Sequence, residues 1–317
     1  MGTALAPRAT AGRGACARLC VACALVLGAC FIALAAAFWL RQRGEPAGVN
    51  CWRFPTSNSL FIEGRLRCWE LGRARRATAL VLDLHGYTVN STQQRGLSRF
   101  EQVAGPGGAL VAWPNGVRAS WNAGSCCGLA AALGIDDVAF LRALIARLRA
   151  RHPTIRHVYA TGHSNGCMMA QRLALDAPDA LAAVACMAGY LQAQPARIPA
   201  PAPVALLEVH CRDDPVVTFE PRAGEWPGAE ANLEAWRQLD ECERASRSTR
   251  WSNDSSTLIE YTRCARGQTH VRAALLSLAR CGHSPYRPRN PSAHSSRGNE
   301  TVTEVAWAFM LAASAAT

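Results

Sequence analysis

The sequence contains no lysine, so all 34 of its basic residues are arginine. These arginines are scattered along the chain and form no local stripe of the kind that binds nucleic-acid phosphates. The formal net charge of +11 therefore does not predict a nucleic-acid partner. Because alanine is also abundant, we attribute the use of arginine to a general compositional bias.

The sequence also lacks a metal-ligand pattern, and we predict no metal or other cofactor. Asp136 and Asp137 are adjacent carboxylates, but no histidine cluster or third carboxylate accompanies them. They precede a helical pattern, at the helix end that negative charge stabilises, and we interpret them as helix-start acids that brace nearby loops. Cys126 and Cys127 lack the spacing of zinc ligands and are interpreted as a disulfide site.

One long run without charge lies near the N-terminus. Residues 19–40 would span about 33 Å as a helix, which is enough to cross a bilayer. Basic residues precede the run, so we predict a signal anchor with a cytoplasmic N-terminus and an extracytoplasmic body. A cleaved secretory signal is the alternative, because Ala35 and Ala37 have the spacing of a cleavage site. Either interpretation places the rest of the chain in the secretory pathway.

Cysteine usage favours an oxidising compartment. Four of the 14 cysteines lie in or beside the N-terminal run, and the ten in the body of an extracytoplasmic protein predict disulfides. Three Asn-x-Ser/Thr sequons would become glycosylation sites in the same compartment, at Asn90, Asn253 and Asn299. Both features agree with a protein that is membrane-anchored or secreted.

The body of the chain alternates strand patterns with helical patterns. We predict a tail with anchor or signal over residues 1–44, an irregular lead-in over 45–76 and one folded domain over 77–317. Short apolar runs predict buried strands at 77–84, 109–113, 158–162, 181–187, 204–210 and 271–278. This alternation is typical of an α/β fold, a mostly parallel sheet with helices on both faces and functional residues beyond the carboxyl ends of the strands.

A serine pentapeptide joins one of these strands to a helical pattern. Gly162-His-Ser164-Asn-Gly166 follows the strand directly, which is the context that holds a serine nucleophile on a tight strand–helix turn. Glycines fit on both sides because strand and helix approach too closely for a Cβ atom. We predict Ser164 as a nucleophile; the alternative is that it only caps the helix.

A nucleophilic serine needs a base within hydrogen-bond reach, and the base needs a carboxylate to orient it. In α/β-hydrolases the acid and then the base follow the serine. Asp214 and His283 fit that order, each in a loop after an apolar run. Asp213 is the alternative acid, but we favour Asp214 because a proline and two valines fix the loop just past it. His270 precedes the last strand and His294 lies in a polar tail, which makes both weaker candidates for the base.

Acyl transfer also needs donors for the negative charge that develops on the carbonyl oxygen. We predict that the Asn165 N–H, directly after the nucleophile, is one donor of this oxyanion hole. The Tyr87 N–H, which follows His85-Gly86 at the end of the first strand, is predicted as the other. The alternative for His85-Gly86 is a plain turn.

Six motifs occur in an order that resembles a known family. They are Leu84-His85-Gly86, Trp121-Asn122, Asp136-Asp137-Val138-x-Phe140, Gly162-His-Ser-Asn-Gly166, Asp214-Pro-x-Val217 and Gly282-His283-Ser284. Over residues 77 to 309 the chain resembles the polyhydroxybutyrate depolymerase and feruloyl esterase family, which is similar to carbohydrate esterase family 1. The resemblance implies an α/β-hydrolase fold, a Ser164, Asp214 and His283 triad and hydrolysis of carboxylic esters. It also implies a disulfide between Cys242 and Cys264.

The sequence departs from this family around the acid and the base. His210-Cys211-Arg212 replaces the usual His-Gly-Thr, and Cys281 stands where a glycine-rich turn is usual. The substrate therefore stays open between feruloyl- or acetyl-type carbohydrate esters and short hydroxyalkanoate esters, including esters linked to a polysaccharide or a polyester. A lipase, thioesterase or peptidase on the same fold is one alternative. A non-catalytic surface protein that binds a partner is the other.

Overall fold

The computed structural model describes residues 49–74, 76–192, 202–265, 271–286 and 300–314. The chain divides into two compact units, Met1–Pro46 and Ala47–Thr317, and the described residues all belong to the second. The predicted anchor or signal at residues 19–40 lies outside these ranges. Among the described residues, no helix is both long and apolar enough to cross a membrane.

Ten strands of the described chain form one sheet. They are β1 (Ser59–Ile62), β2 (Arg65–Leu71), β3 (Ala79–Leu84), β4 (Ala109–Pro114), β5 (His157–Gly162), β6 (Ala183–Met187), β7 (Ala205–Cys211), β8 (Arg247–Ser252), β9 (Ser256–Tyr261) and β10 (Ala273–Leu278). Their spatial order is β1-β2-β4-β3-β5-β6-β7-β10-β9-β8. The six strands from β4 to β10 in this order pair in parallel, which confirms the predicted mostly parallel sheet.

Helices cover both faces of the sheet, as predicted. The α-helices of the described ranges are α1 (Ser91–Ser98), α2 (Phe100–Ala104), α3 (Gly128–Ala132), α4 (Asp137–Arg151), α5 (Asn165–Asp176), α6 (Ala229–Leu239) and α7 (Val302–Ser314). Side chains of α4, α5 and α6 belong to one core, and those of α2 and α7 to the other. Because successive strand residues face opposite sides, Leu80 and Leu82 join the first core while Ala79 and Val81 join the second.

The predicted irregular lead-in is wrong, because residues 45–76 contribute β1 and β2 to the sheet. The two strands form an antiparallel hairpin, and β2 pairs antiparallel with β4. Arginines interrupt the apolar pattern here, yet Arg67 is buried because its Nη2 lies 2.7 Å from Asp137 Oδ1. Its guanidinium also lies 3.9 Å from the centre of the Phe140 ring. The folded unit therefore begins about Ala47 rather than at residue 77.

A buried carboxylate lies one residue before the end of β3. Asp83 accepts hydrogen bonds from Gln94 Nε2 at 2.7 Å, from Trp113 Nε1 at 2.8 Å and from the Ser98 hydroxyl. Burial raises the pKa of Asp83 to about 6, although these hydrogen bonds oppose the rise. Because the folded pKa is the higher one, folding favours the protonated form, and the stabilisation is complete only below the unfolded pKa.

We expect the free energy of unfolding to fall by up to roughly 3 kcal/mol on account of Asp83 as the pH rises from about 4 to about 6. Asp83→Asn removes the titrating group and should flatten this part of the stability curve relative to the wild type. Urea unfolding at pH 4, 5, 6 and 7 measures the difference in slope. Parallel curves for the two proteins would contradict the prediction.

Candidate active site

Ser164 lies on a strained turn between β5 and α5. Its backbone has φ 54° and ψ −120°, a region that residues other than glycine rarely adopt. A Cβ atom on Gly166 would collide with the carbonyl oxygen of Leu84, and one on Gly162 would lie 2.7 Å from the backbone of Gly166. The close approach of β3, β5 and α5 therefore requires both glycines of the pentapeptide.

Ser164, His283 and Asp214 form one hydrogen-bonded chain. His283 Nε2 lies 2.9 Å from Ser164 Oγ, and His283 Nδ1 lies 2.7 Å from Asp214 Oδ2. The three residues follow β5, β10 and β7, whose carboxyl ends meet at one edge of the parallel sheet. This is the arrangement that lets a histidine take the proton of a serine while a carboxylate orients the ring.

The Asp214 carboxylate is buried but well supplied with donors. The N–H groups of Val216 and Val217 donate to its Oδ1 at 2.8 and 3.0 Å. Burial would raise the pKa of Asp214, but hydrogen bonds from His210 and His283 lower it below the usual range of an aspartate. Asp214 is therefore ionised at neutral pH.

Asp213, the alternative acid, contacts the backbone of the loop that carries His283, here called the base loop. It does not contact the histidine ring. Its Oδ1 accepts hydrogen bonds from the N–H groups of Cys281 at 2.9 Å and Gly282 at 2.8 Å. Asp213 thus holds the segment that carries His283, while Asp214 holds the His283 ring. This division supports the choice of Asp214 as the acid.

The two cysteines that depart from the family pattern are bonded to each other. Cys211 ends β7, Cys281 lies two residues before His283, and the two form a disulfide over a sequence separation of 70. The disulfide joins the loop that carries the acid to the loop that carries the base. The sequence alone does not indicate this pairing, because no local pattern links positions so far apart.

His163, the variable residue before the serine, is a contact that sequence analysis missed. Its Nε2–H donates to the His283 carbonyl oxygen at 2.6 Å, and the two rings lie 4.9 Å apart. Burial is the main reason why the pKa of His163 falls to about 4, so the ring is neutral at pH 7. His163 therefore positions the base loop, although the pentapeptide pattern leaves this position free.

The two predicted oxyanion donors belong to segments that adjoin Ser164. Asn165 directly follows Ser164 as the first residue of α5, and a Cβ atom on Gly86, next to Tyr87, would lie 3.6 Å from Ser164 Cβ. Within the described residues, neither the Asn165 N–H nor the Tyr87 N–H has a hydrogen-bond acceptor. Two free N–H groups beside a nucleophile are what an oxyanion hole requires.

His85 fixes the turn that carries Gly86 and Tyr87. Its Nδ1–H donates to the Gly86 carbonyl at 2.8 Å, and its Nε2 accepts from the Gly116 N–H at 2.9 Å. Burial lowers the pKa of His85 to about 4, which keeps the ring neutral and suits one donating and one accepting nitrogen. The His85-Gly86 segment is thus a turn held by the loop after β4.

The loop that carries Trp121 and Asn122 is held by hydrogen bonds from α5 and from α4. Asn165 Oδ1 accepts from the Trp121 N–H at 2.7 Å, and Asn165 Nδ2 donates to the Trp121 carbonyl at 3.1 Å. Asp137 Oδ2 accepts from the Asn122 N–H at 2.8 Å, while Asp136 caps the N-terminus of α4. The two adjacent acids therefore play the structural roles expected of them.

Among the described residues, no group of three or more His, Cys, Asp or Glu side chains could hold a metal ion.

All ten cysteines of the described residues form disulfides. Besides Cys211–Cys281 these are Cys51–Cys68, Cys126–Cys127, Cys167–Cys186 and Cys242–Cys264. The last is the pair that the family resemblance implied. Five disulfides are typical of proteins that fold in an oxidising compartment.

Two of the three glycosylation sequons lie in the described chain. The Asn90 side chain caps α1, and Asn253 Oδ1 accepts from the N–H groups of Ser255 and Ser256 at 2.8 Å each. Asn299 lies outside the described residues. Glycosylation at all three positions stays a prediction.

The parallel sheet covered by helices, together with the tight strand–serine–helix turn, defines an α/β-hydrolase fold, as predicted. The acetyl xylan esterase from Aspergillus awamori has a similar fold, with a TM-score of 0.53 and 12% identity over 69% of this chain and 89% of that chain. Est1E from Butyrivibrio proteoclasticus matches with a TM-score of 0.49 and 13% identity, over 81% of this chain and 98% of that chain.

In sequence, the chain is similar to the protein named “Putative esterase NocK” from Nocardia uniformis subsp. tsuyamanensis. The two are 32% identical over 172 residues, which cover 52% of this chain and 50% of that protein. The chain thus spans about half the length of this curated relative. No protein-family model matches the chain.

Proposed function

We propose that the protein is a serine esterase that hydrolyses carboxylic esters through an acyl-enzyme. The observation that carries the proposal is the continuous hydrogen-bonded chain from Ser164 through His283 to Asp214. The sequence similarity to a relative whose name describes an esterase supports the same reaction class. The six family motifs of the sequence point to esters as well.

In the proposed mechanism, Ser164 Oγ attacks the ester carbonyl carbon while His283 Nε2 takes the hydroxyl proton. Asp214 keeps the Nδ1–H of His283 oriented and stabilises the imidazolium that forms. The N–H groups of Tyr87 and Asn165 donate to the oxyanion. His283 then gives its proton to the leaving alcohol, and a water molecule attacks the acyl-enzyme by the same steps to release the acid.

We propose uncharged esters of the feruloyl, acetyl or short hydroxyalkanoate type as substrates. The Tyr87 side chain beside the oxyanion donors is 50% exposed, and Val216, two residues after Asp214, is 53% exposed. An exposed aromatic side chain beside the oxyanion donors and an exposed aliphatic side chain in the loop after Asp214 favour an uncharged, partly apolar substrate.

We further propose that the protein acts in the secretory pathway or outside the cell, attached through residues 19–40 or released by cleavage before the body. The five disulfides support this location, because such bonds persist in oxidising compartments.

A panel of substrates tests the proposal. It contains p-nitrophenyl acetate, methyl ferulate and a 3-hydroxybutyrate dimer, with a long-chain triglyceride, an acyl thioester and a peptide for the alternatives. We expect turnover of at least one simple ester, and a loss of about 1,000-fold or more in His283→Gln, which keeps a polar side chain but cannot act as the base. A folded wild-type protein that hydrolyses no ester would reject the proposal in favour of a binding protein.

Removal of the Cys211–Cys281 disulfide is expected to lower kcat by about 10- to 100-fold with little change in KM. Small displacements of a catalytic group cost reaction rate because the reacting atoms lose their alignment. The test is the kcat of the Cys211→Ser, Cys281→Ser double variant on the best ester of the panel.

The matched control is the Cys242→Ser, Cys264→Ser double variant. It removes a disulfide between the segment that follows α6 and the segment that follows β9, outside the loops that carry Ser164, Asp214 and His283. It should lower stability but keep the kcat of the folded protein. Equal kcat values for the two double variants would contradict a positioning role for Cys211–Cys281.

A further inference from the structure

A second buried histidine lies behind the Asp214 carboxylate. His210 is near the end of β7, and Glu208 precedes it by two residues on the same face of that strand. His210 Nδ1 lies 2.7 Å from Glu208 Oε1, and His210 Nε2 lies 2.7 Å from the Val217 carbonyl oxygen. The same Nε2 is 3.4 Å from Asp214 Oδ2. All four side-chain and backbone groups belong to buried residues.

These contacts define the charge of His210. A carbonyl oxygen can only accept, so Nε2 must carry a proton to bond Val217. Burial raises the pKa of Glu208, but hydrogen bonds from His210 and from Asn232 Nδ2 oppose the rise and favour the ionised carboxylate, which accepts from Nδ1–H. Both ring nitrogens then carry protons. Burial lowers the pKa of His210, but the hydrogen bonds with Asp214 and Glu208 outweigh it and raise the value to about 9.

The surroundings of the ring contain no other charge in direct contact among the described residues. Tyr190 stacks on the ring with 4.9 Å between centroids, and its hydroxyl donates to the Thr218 carbonyl. The Phe219 ring meets it edge-on at 5.9 Å. The charged neighbours are therefore Glu208 and Asp214, with His283 beyond Asp214 on the other side. His210 is shielded from solvent and cannot exchange protons with a substrate.

The Asp214 carboxylate thus lies between two imidazole rings. Its Oδ2 is 2.7 Å from His283 Nδ1 and 3.4 Å from His210 Nε2. A cation on one side of a carboxylate partly cancels the field that the carboxylate exerts on the other side. Solvent screens this effect only weakly, because Asp214 and His210 are buried and His283 is partly buried.

We propose that His210, kept as a cation by Glu208, is a positioning residue that holds Asp214 and tunes the basicity of His283. The cation holds the carboxylate in place and offsets part of its negative charge. The imidazolium that forms when His283 takes the Ser164 proton is consequently stabilised less than beside an isolated carboxylate, so it gives that proton to the leaving alcohol more readily. The inference rests on the proposed function, since it concerns how that triad takes and gives its proton.

The pH dependence of kcat/KM tests this inference, because its acid limb reports the base of the free enzyme. In His210→Gln we expect the acid limb to move up by about one pH unit. A merely structural role would lower kcat at every pH and leave the limb where it is. The matched control is Tyr190→Phe, which keeps the stacked ring and the charged groups and removes only a neutral hydroxyl that lies 3.5 Å from His210 Nε2; its acid limb should coincide with that of the wild type.

A second measurement needs no variant and covers the case in which His210→Gln does not fold. Nitrogen NMR of the full-length wild-type protein labelled in its histidines should show both ring nitrogens of His210 protonated from pH 6 to pH 8. A neutral His210 ring in this range, or an active His210→Gln protein with an unmoved acid limb, would overturn the inference. Absence of ester hydrolysis by the wild type would reject the proposed function instead, and the NMR would still decide the charge of His210.

Discussion

Ser164→Ala is expected to lower kcat/KM for ester hydrolysis by about 10,000-fold or more while the protein stays folded. The change deletes only the Oγ atom, and with it the hydrogen bond of 2.9 Å to His283. Alanine has the same Cβ atom as serine, so the strained turn at φ 54° costs the variant no more than it costs the wild type. Initial rates on the best ester and thermal unfolding measure the two parts of the prediction.

The matched control for this loss is Ser284→Ala. Ser284 directly follows His283, and its buried hydroxyl has no hydrogen-bond partner in the described part of the chain. We expect its removal to change kcat/KM by less than about 5-fold, as for a substitution that breaks no interaction. Ester hydrolysis that survives in Ser164→Ala at the wild-type rate would contradict the mechanism.

Asp214→Asn is expected to lower kcat by about 10,000-fold, the second large effect. An asparagine can turn its NH₂ group towards His283 Nδ1, and that nitrogen must then accept a hydrogen bond. The proton of the neutral ring moves to Nε2, the atom that has to take the proton of Ser164. The arrangement keeps its shape but presents the wrong tautomer to the nucleophile.

The neighbouring substitution Asp213→Asn provides the control. Its side-chain oxygen can still accept from the N–H groups of Cys281 and Gly282, so the base loop keeps its anchor. We expect a loss of kcat below about 10-fold, since one neutral acceptor replaces one charged acceptor. Parallel assays of the two variants separate the two candidate acids. A larger loss in Asp213→Asn than in Asp214→Asn would reverse the assignment of the acid.

Local patterns in the sequence predicted those parts of the fold that local patterns determine. The buried parallel strands are continuous apolar runs, and the turn at Ser164 needs glycines at fixed spacing, so both can be identified without a structure. The helices α4 and α5 also coincide with predicted helical patterns. Each of these elements is encoded by residues close together in the chain.

Elements stabilised by distant partners were not predictable in this way. The strand β2 contains Arg67, which is buried only because Asp137 neutralises it from α4. The strand β9 buries Ser256 and Glu260, and polar residues at these positions hide its alternation. A search for apolar runs misses both strands for the same physical reason: a polar side chain can be buried when its partner is elsewhere in the chain.

The candidate site shows the same division. The order of Ser164, Asp214 and His283 along the chain predicted which residues could meet, and the structure brings the three into one hydrogen-bonded chain. Their support could not be predicted, because His163 contacts His283, which lies 120 residues further along the chain. His210 is close to Asp214 in sequence, but its contact with that carboxylate depends on how the loop after β7 folds back. Long-range pairing is decided by the whole chain and leaves no signal at either position.

The central claim is that Ser164 is a nucleophile activated by His283, and reaction with a fluorophosphonate probe tests it most directly. Such a probe forms a stable bond with a serine whose proton a neighbouring base can remove. After treatment of the purified protein, mass spectrometry of its peptides locates the label. We predict one label on Ser164, which His283→Ala abolishes and Ser284→Ala leaves unchanged. A folded protein that takes no label, or takes it at another residue, would contradict the account.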